Sequence, residues 1–174
     1  MLLRRNARVN SRSNNGWTPL HHAIGCGSPY LDIATLLLER GARTEAKDTI
    51  GATPLQLAVE QSSADAICRL VEANADILTR DNEGRNVIHR VASIGDVMTA
   101  KLLFELGGKI LINAPDNANR CPALYADRHD KFDFLEWIEK EHGAIKEFRS
   151  GDLDRKEAAH ADTRNKRKTD KRRK

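Results

Sequence analysis

Apolar and polar positions along this chain repeat in pairs of short runs, and the pairs return every 33 to 35 residues. In each period a first apolar run (Leu55, Leu57, Ala58 and Val59 in the clearest copy) is followed by a polar break. A second run then places apolar side chains at i, i+3 and i+4. That spacing predicts two short helices per period, each with one buried stripe. The second runs predict helices over 31–40, with Ile33, Leu36 and Leu37 inward; 64–73, with Ile67, Leu70 and Val71 inward; 97–106; and 132–141, with Phe134, Leu135 and Ile138 inward.

The first run of each period begins in a recurring octet. Gly16-Trp17-Thr18-Pro19-Leu20-His21-His22-Ala23 returns as Gly51-Ala52-Thr53-Pro54-Leu55-Gln56-Leu57-Ala58. It decays to Gly84-Arg85-Asn86-Val87-Ile88-His89-Arg90-Val91 and fades to Asn119-Arg120-Cys121-Pro122-Ala123-Leu124-Tyr125-Ala126. Thr before Pro is an N-cap followed by the first helical position, where the N–H that proline lacks would be unpaired anyway. Asn86 can take over the cap in the third copy, and in the fourth Cys121 sits where Thr is expected. Asn6 and Asn74 stand where Gly41 ends a helix, because Asn tolerates the left-handed conformation nearly as Gly does.

A period near 33 enclosing T-P-L-H-x-A marks a repeat architecture, and these residues resemble the ankyrin repeat from Met1 to about Ala144. The resemblance implies an all-α solenoid of about four stacked helix-turn-helix units joined by short β-hairpin-like loops. Aligned on it, 1–13 is a partial repeat holding a second helix and a hairpin arm; 14–48 and 49–81 are full repeats. Residues 82–116 form a divergent repeat, 117–148 a degenerate C-terminal cap, and 149–174 a disordered basic tail. Since Met1 falls inside a helix of the pattern, the segment is expected to be part of a longer array or to start on a bare end. The resemblance makes His21 structural, hydrogen-bonded back to Thr18, and leaves Gln56 to re-make that bond with an amide or lose it.

Charge changes the picture at one end. The formal net charge is +4, but 166–174 alone holds seven Lys/Arg against one Asp, so the basicity belongs to the tail. Three cysteines (Cys26, Cys68, Cys121) without C-x-x-C spacing argue against a disulfide framework or zinc site. No apolar run approaches the ~20 residues of a membrane helix, so an intracellular protein, cytoplasmic or nuclear, is expected. His21 and His22 are adjacent and splay apart on a helix, and no H-x-x-x-H, G-x-S-x-G or phosphate-loop pattern occurs. The expectation is a non-enzyme with no cofactor and no metal.

What remains is surface. The resemblance implies that the hairpin tips and the open side of the inner helices form a curved face that binds another protein. By position these are Asn14, Asn15 and Trp17; Lys47, Asp48, Thr49 and Ile50; and Arg80, Asp81, Asn82, Glu83 and Arg85. Trp17 follows the hairpin glycine, where the other copies carry Ala52, Arg85 and Arg120, so it is expected to be at least partly exposed. The reading is a monomeric, non-catalytic protein-interaction module. The competing class is a nuclear or nucleic-acid-associated factor acting through Lys166, Arg167, Lys168, Lys171, Arg172, Arg173 and Lys174, as an import-receptor ligand or a weak nucleic-acid contact.

Overall fold

The structure, a computed structural model, describes residues 8–142. Among them are eight α-helices and no strand: α1 (Pro19–Gly25), α2 (Leu31–Glu39), α3 (Pro54–Glu60), α4 (Ala64–Glu72), α5 (Val87–Ile94), α6 (Val97–Glu105), α7 (Pro122–Arg128) and α8 (Phe132–His142). Two 3-10 turns, Ser28–Tyr30 and Gly108–Leu111, take up the extra residues of the first helix link and of the last hairpin. Described residues up to Trp137 belong to one compact unit; a second begins at Ile138, and of it only the end of α8 is described. The expected disordered basic tail, with its seven cations, lies outside the described residues, as does Asn6.

Odd-numbered helices pack on one another in sequence, α1 on α3, α3 on α5 and α5 on α7, and α1, α3 and α5 each also pack on the even-numbered helix that follows. This is an all-α repeat solenoid. The core is apolar and small: Leu20, Ala23, Leu55, Ala58, Ile88, Val91, Ala123 and Ala126 bury the inner helices, and Leu37, Ile67, Leu70, Leu103 and Phe134 the outer ones.

The expected buried stripe of α2 needs correction. Ala34 and Leu37 are inside, Leu36 is intermediate, and Ile33 is 47% exposed. Its counterparts Ala66 and Thr99 are buried. That position faces the preceding repeat, and no outer helix precedes α2 among the described residues. Val71 and Leu135 are likewise only half-buried, while Ala66, Ile67 and Leu70 in α4 and Phe134 and Ile138 in α8 are buried.

Three inner helices start in reciprocal capping boxes. Thr18, Thr53 and Asn86 accept from the backbone N–H of His21, Gln56 and His89, whose side chains accept in return from the cap N–H. Cys121 makes no such bond. Asn74 does adopt the left-handed conformation, at φ 63°.

Candidate functional site

The tips are built by the residues around each hairpin glycine. Gly51 and Gly84 have φ near +80° (80° and 78°), and a Cβ on either would lie 2.3 Å from the amide oxygen of Asn82 or Asn117 in the next tip. Successive tips are laced together by backbone bonds: Thr49 N–H donates to Asn15 O at 3.1 Å, Asn82 to Ile50 at 3.1 Å, and Asn117 to Glu83 at 2.9 Å. The amides of Asn82 and Asn117 add bonds to Thr49 O and Asn82 O, both 3.1 Å.

One carboxylate organises each of the last three tips. Asp48 Oδ1 accepts from the N–H groups of Ile50 and Ala52 (2.9 and 2.8 Å). Asp81 does the same for Glu83 and Arg85 (3.0 and 2.9 Å), and Asp116 for Ala118 and Arg120 (2.9 and 2.8 Å). The other oxygen differs between tips. Asp48 Oδ2 takes the indole N–H of Trp17 at 3.3 Å. Asp81 Oδ2 takes Arg85 Nε at 2.8 Å and Arg90 at 2.9 Å; Asp116 Oδ2 takes Arg120 at 2.7 Å and the Tyr125 hydroxyl at 2.6 Å. Glu83 pairs with Arg85 and Arg120 at 3.4 and 3.7 Å, and buried Arg90 also pairs with Glu60. Burial alone would raise the Asp116 pKa, but Arg120, Tyr125 and two backbone N–H groups hold it far below the ordinary carboxylate range. Burial and the same carboxylate push the Tyr125 hydroxyl up to about 12.

Beneath the tips, the side chain three residues after each cap reaches into the next repeat. His21 Nε2 meets Ala52 O at 3.3 Å and His89 Nε2 meets Arg120 O at 2.9 Å. Gln56 Nε2 donates to Arg85 O at 3.1 Å and Thr79 O at 3.3 Å, and its Oε1 accepts from the Thr53 N–H at 3.3 Å, so the amide does re-make the bond back to the cap. Because Nδ1 of each histidine faces the cap N–H as an acceptor, the Nε2 atom carries the proton and donates. Burial lowers both histidine pKa values from the ordinary 6.5. These are scaffold histidines.

The residues expected to meet a partner fall into three groups. Asn14, Asn15, Lys47, Thr49, Arg80, Asn82 and Glu83 are exposed, and Ile50 is exposed at 52%. Trp17 and Arg85 are half-buried: the Trp17 ring lies against Gly25, stacks on His21 at 6.3 Å and meets His22 edge-on at 5.0 Å. Asp48 is half-buried and Asp81 fully buried, with both oxygens engaged internally, so they shape the tips from within. Sequence reading missed Arg90, Arg120, Tyr125 and Asp116, which close the surface beyond the second repeat; carboxylates recurring three residues before the hairpin glycine were the available signal. Among the described residues no group of three His, Cys, Asp or Glu could hold a metal ion, and no helix is long and apolar enough to cross a membrane.

Comparison with known proteins decides the family: the family model described as ankyrin repeats (3 copies) matches residues 1–81. The chain is an ankyrin-repeat protein. It is similar to tyrosine-protein kinase HTK16 of Hydra vulgaris, 30% identical over 74% of this chain and 17% of the kinase. It is 28% identical to the probable 26S proteasome regulatory subunit p28 of Saccharomyces cerevisiae, over 75% of this chain and 57% of that subunit. Neurogenic locus notch homolog protein 1 of Xenopus laevis matches at 30% over 60% of this chain and 4% of its own length. The chain thus spans less than two thirds of each of these relatives. Ankyrin repeats are generally non-catalytic protein-interaction modules, and the kinase match is partial.

Proposed function

We propose that this ankyrin-repeat protein is a non-catalytic recognition module that binds a partner protein on its hairpin tips and the open side of its first inner helices, with Trp17 as anchor. The supporting observation is the contrast along that surface. Past the second repeat, Arg85, Arg90 and Arg120 are held by Asp81, Glu83, Glu60 and Asp116. Around Trp17 no such ion-pair network is present among the described residues: the ring meets exposed His22 edge-on, and Cys26 and Ile50 are also exposed. A rigid, half-exposed indole whose N–H is already satisfied can bury area with little ordering cost, as binding hot spots do.

The test is calorimetry of the full chain and of Trp17→Ala against a protein that the full chain captures from a lysate. An anchor loses about 2 kcal/mol, roughly 30-fold in affinity. Unchanged affinity with a lowered Tm would reduce Trp17 to a cover for Gly25.

A second reading rests on the seven cations of 166–174: a nuclear or nucleic-acid-associated factor acting through that tail. Its signature is a steep fall of DNA or RNA affinity with salt, lost when 164–174 is deleted.

A further inference from the structure

Four residues before each hairpin glycine stands a basic side chain that reaches forward by one repeat. Arg12 donates to the carbonyl of Lys47, Lys47 Nζ to the carbonyl of Arg80 at 2.8 Å, and Arg80 to the carbonyl of Pro115 at 2.6 Å. The row ends there because proline occupies the fourth position. All three cations are exposed, and among the described residues no carboxylate pairs with any of them. The other basic groups of the tips, Arg85, Arg90 and Arg120, are all ion-paired. A carbonyl bond fixes each cation in place without neutralising it, and leaves further N–H donors free on every one.

Between the first two rungs lies a cleft of about 210 Å³, lined by Arg12, Arg43 and Lys47 together with Asn10 and Glu45. Its lining comes from the hairpin arms and the segment after α2, and does not include Trp17 or His22.

We infer that this row is a second docking surface, for an extended acidic peptide segment of a partner protein. Packed helices sit ~8–10 Å apart, so one cation per repeat gives a rung about every 9 Å. A polyproline-II segment advances ~3.1 Å per residue with three residues per turn, so a carboxylate at every third residue stays on one face and meets successive rungs. Fixed cations at matched spacing bind with little loss of side-chain freedom. A nucleic acid fits less well, because duplex DNA carries a charge per ~1.7 Å of axis, far denser than the rungs.

The probe is a fluorescein-labelled decapeptide of Gly and Ser with Glu at positions one, four and seven. It is titrated by anisotropy into the full chain and into the triple variant Arg12→Gln, Lys47→Gln, Arg80→Gln. A peptide of equal charge with its three Glu adjacent, and an oligo-dT of ten nucleotides, are run beside it. The triple variant is expected to bind the spaced peptide at least tenfold more weakly than the unaltered chain, which itself prefers the spaced to the clustered peptide. A triple variant that binds unchanged, or an unaltered chain that prefers oligo-dT or ignores spacing, overturns the inference and assigns the binding to generic polyanion attraction, the tail included. Loss of folding in the triple variant is checked by circular dichroism; Lys47→Arg, which keeps the cation, must then retain the spaced-peptide affinity, and a tenfold loss there also overturns it. Trp17→Ala leaves this affinity unchanged, so failure at the row and failure at the indole are read separately.

Discussion

The second tip and the two that follow it are each built from one carboxylate and satisfy it in opposite ways. Asp81 and Asp116 are held from within their own tip, by the arginine that follows Gly84 or Asn119. The second tip has Ala52 at that position, which offers nothing, and Asp48 instead takes the indole N–H of Trp17 from the tip before. The arginine solution closes the surface with a network running Glu60–Arg90–Asp81–Arg85–Glu83–Arg120–Asp116–Tyr125. The alanine solution leaves the tip outside that network, its carboxylate held by an indole from the tip before. The lesson is that one position in the repeat sets whether a tip serves its own cohesion or remains available to a partner.

The strongest way to break this comparison is to remove each carboxylate in turn. Asp81→Ala strips the tip of two backbone bonds and leaves buried Arg90 with Glu60 alone, besides an Nε that already has no partner. Losing one member of a buried ion pair costs about 3–5 kcal/mol. Asp48→Ala removes the same two backbone bonds from a half-buried site without stranding a charge, and is expected to cost about 1–2 kcal/mol. Urea denaturation of both variants is the measurement. Equal losses would mean that the ion network adds nothing beyond the turn itself.

Much of this was legible in the sequence and some was not, for a physical reason. Caps, helix starts and the Asn74 helix end are local, decided by side chains within a few residues, and the octet displays them directly. The exposure of Ile33, the engagement of Trp17 with Asp48 and the row from Arg12 to Arg80 depend on contacts 31 to 35 residues apart. Those contacts become visible only when the copies are aligned column by column. Even then, a column gives the partner's repeat but not which atom it presents. Arg12 stands in the same column as Lys47 and Arg80, but its tip carries Ser13 where theirs carry the carboxylate.

Beneath the tips the two halves should behave alike, and pH tests that. His21 and His89 both use Nδ1 as an acceptor, and a proton there would set it against the cap N–H. Their folded pKa values lie below 6.5, so between those values and 6.5 the unfolded chain binds more protons. Stability from both is complete above about pH 6.5 and is lost as pH falls through that window. Gln56 makes the same bonds and does not titrate. The double variant His21→Gln, His89→Gln should therefore show a flatter Tm between pH 7 and pH 5. Asp116 loses its stabilising charge only below 3.8 and stays silent in that range. An unchanged slope would place the pH dependence in other groups.

The smallest expected effect sharpens the comparison at the seam between the halves. The third repeat departs from the second at its helix start, with Asn86-Val87 in place of Thr53-Pro54. Asn86 caps α5 through its oxygen, but its Nδ2 is buried without a partner, where threonine would place a methyl group. Its backbone, φ −100° and ψ 179°, matches that of Thr53 at −92° and 164°, and is the extended conformation a following proline requires. Asn86→Thr removes the orphan donor, and Val87→Pro removes conformational freedom from the unfolded chain at a position whose N–H the helix does not need. Val87 is fully buried, so its lost methyl contacts offset part of the gain. The pair together should stabilise by about 1 kcal/mol, or roughly 3 °C in Tm. Because repeat stability is a sum of local and neighbour terms, the amides of α5 should also exchange more slowly than those of α1 relative to the unaltered chain. If protection instead rises uniformly, the two halves unfold as one unit, and the ionic network couples the repeats more tightly than the tips alone would require.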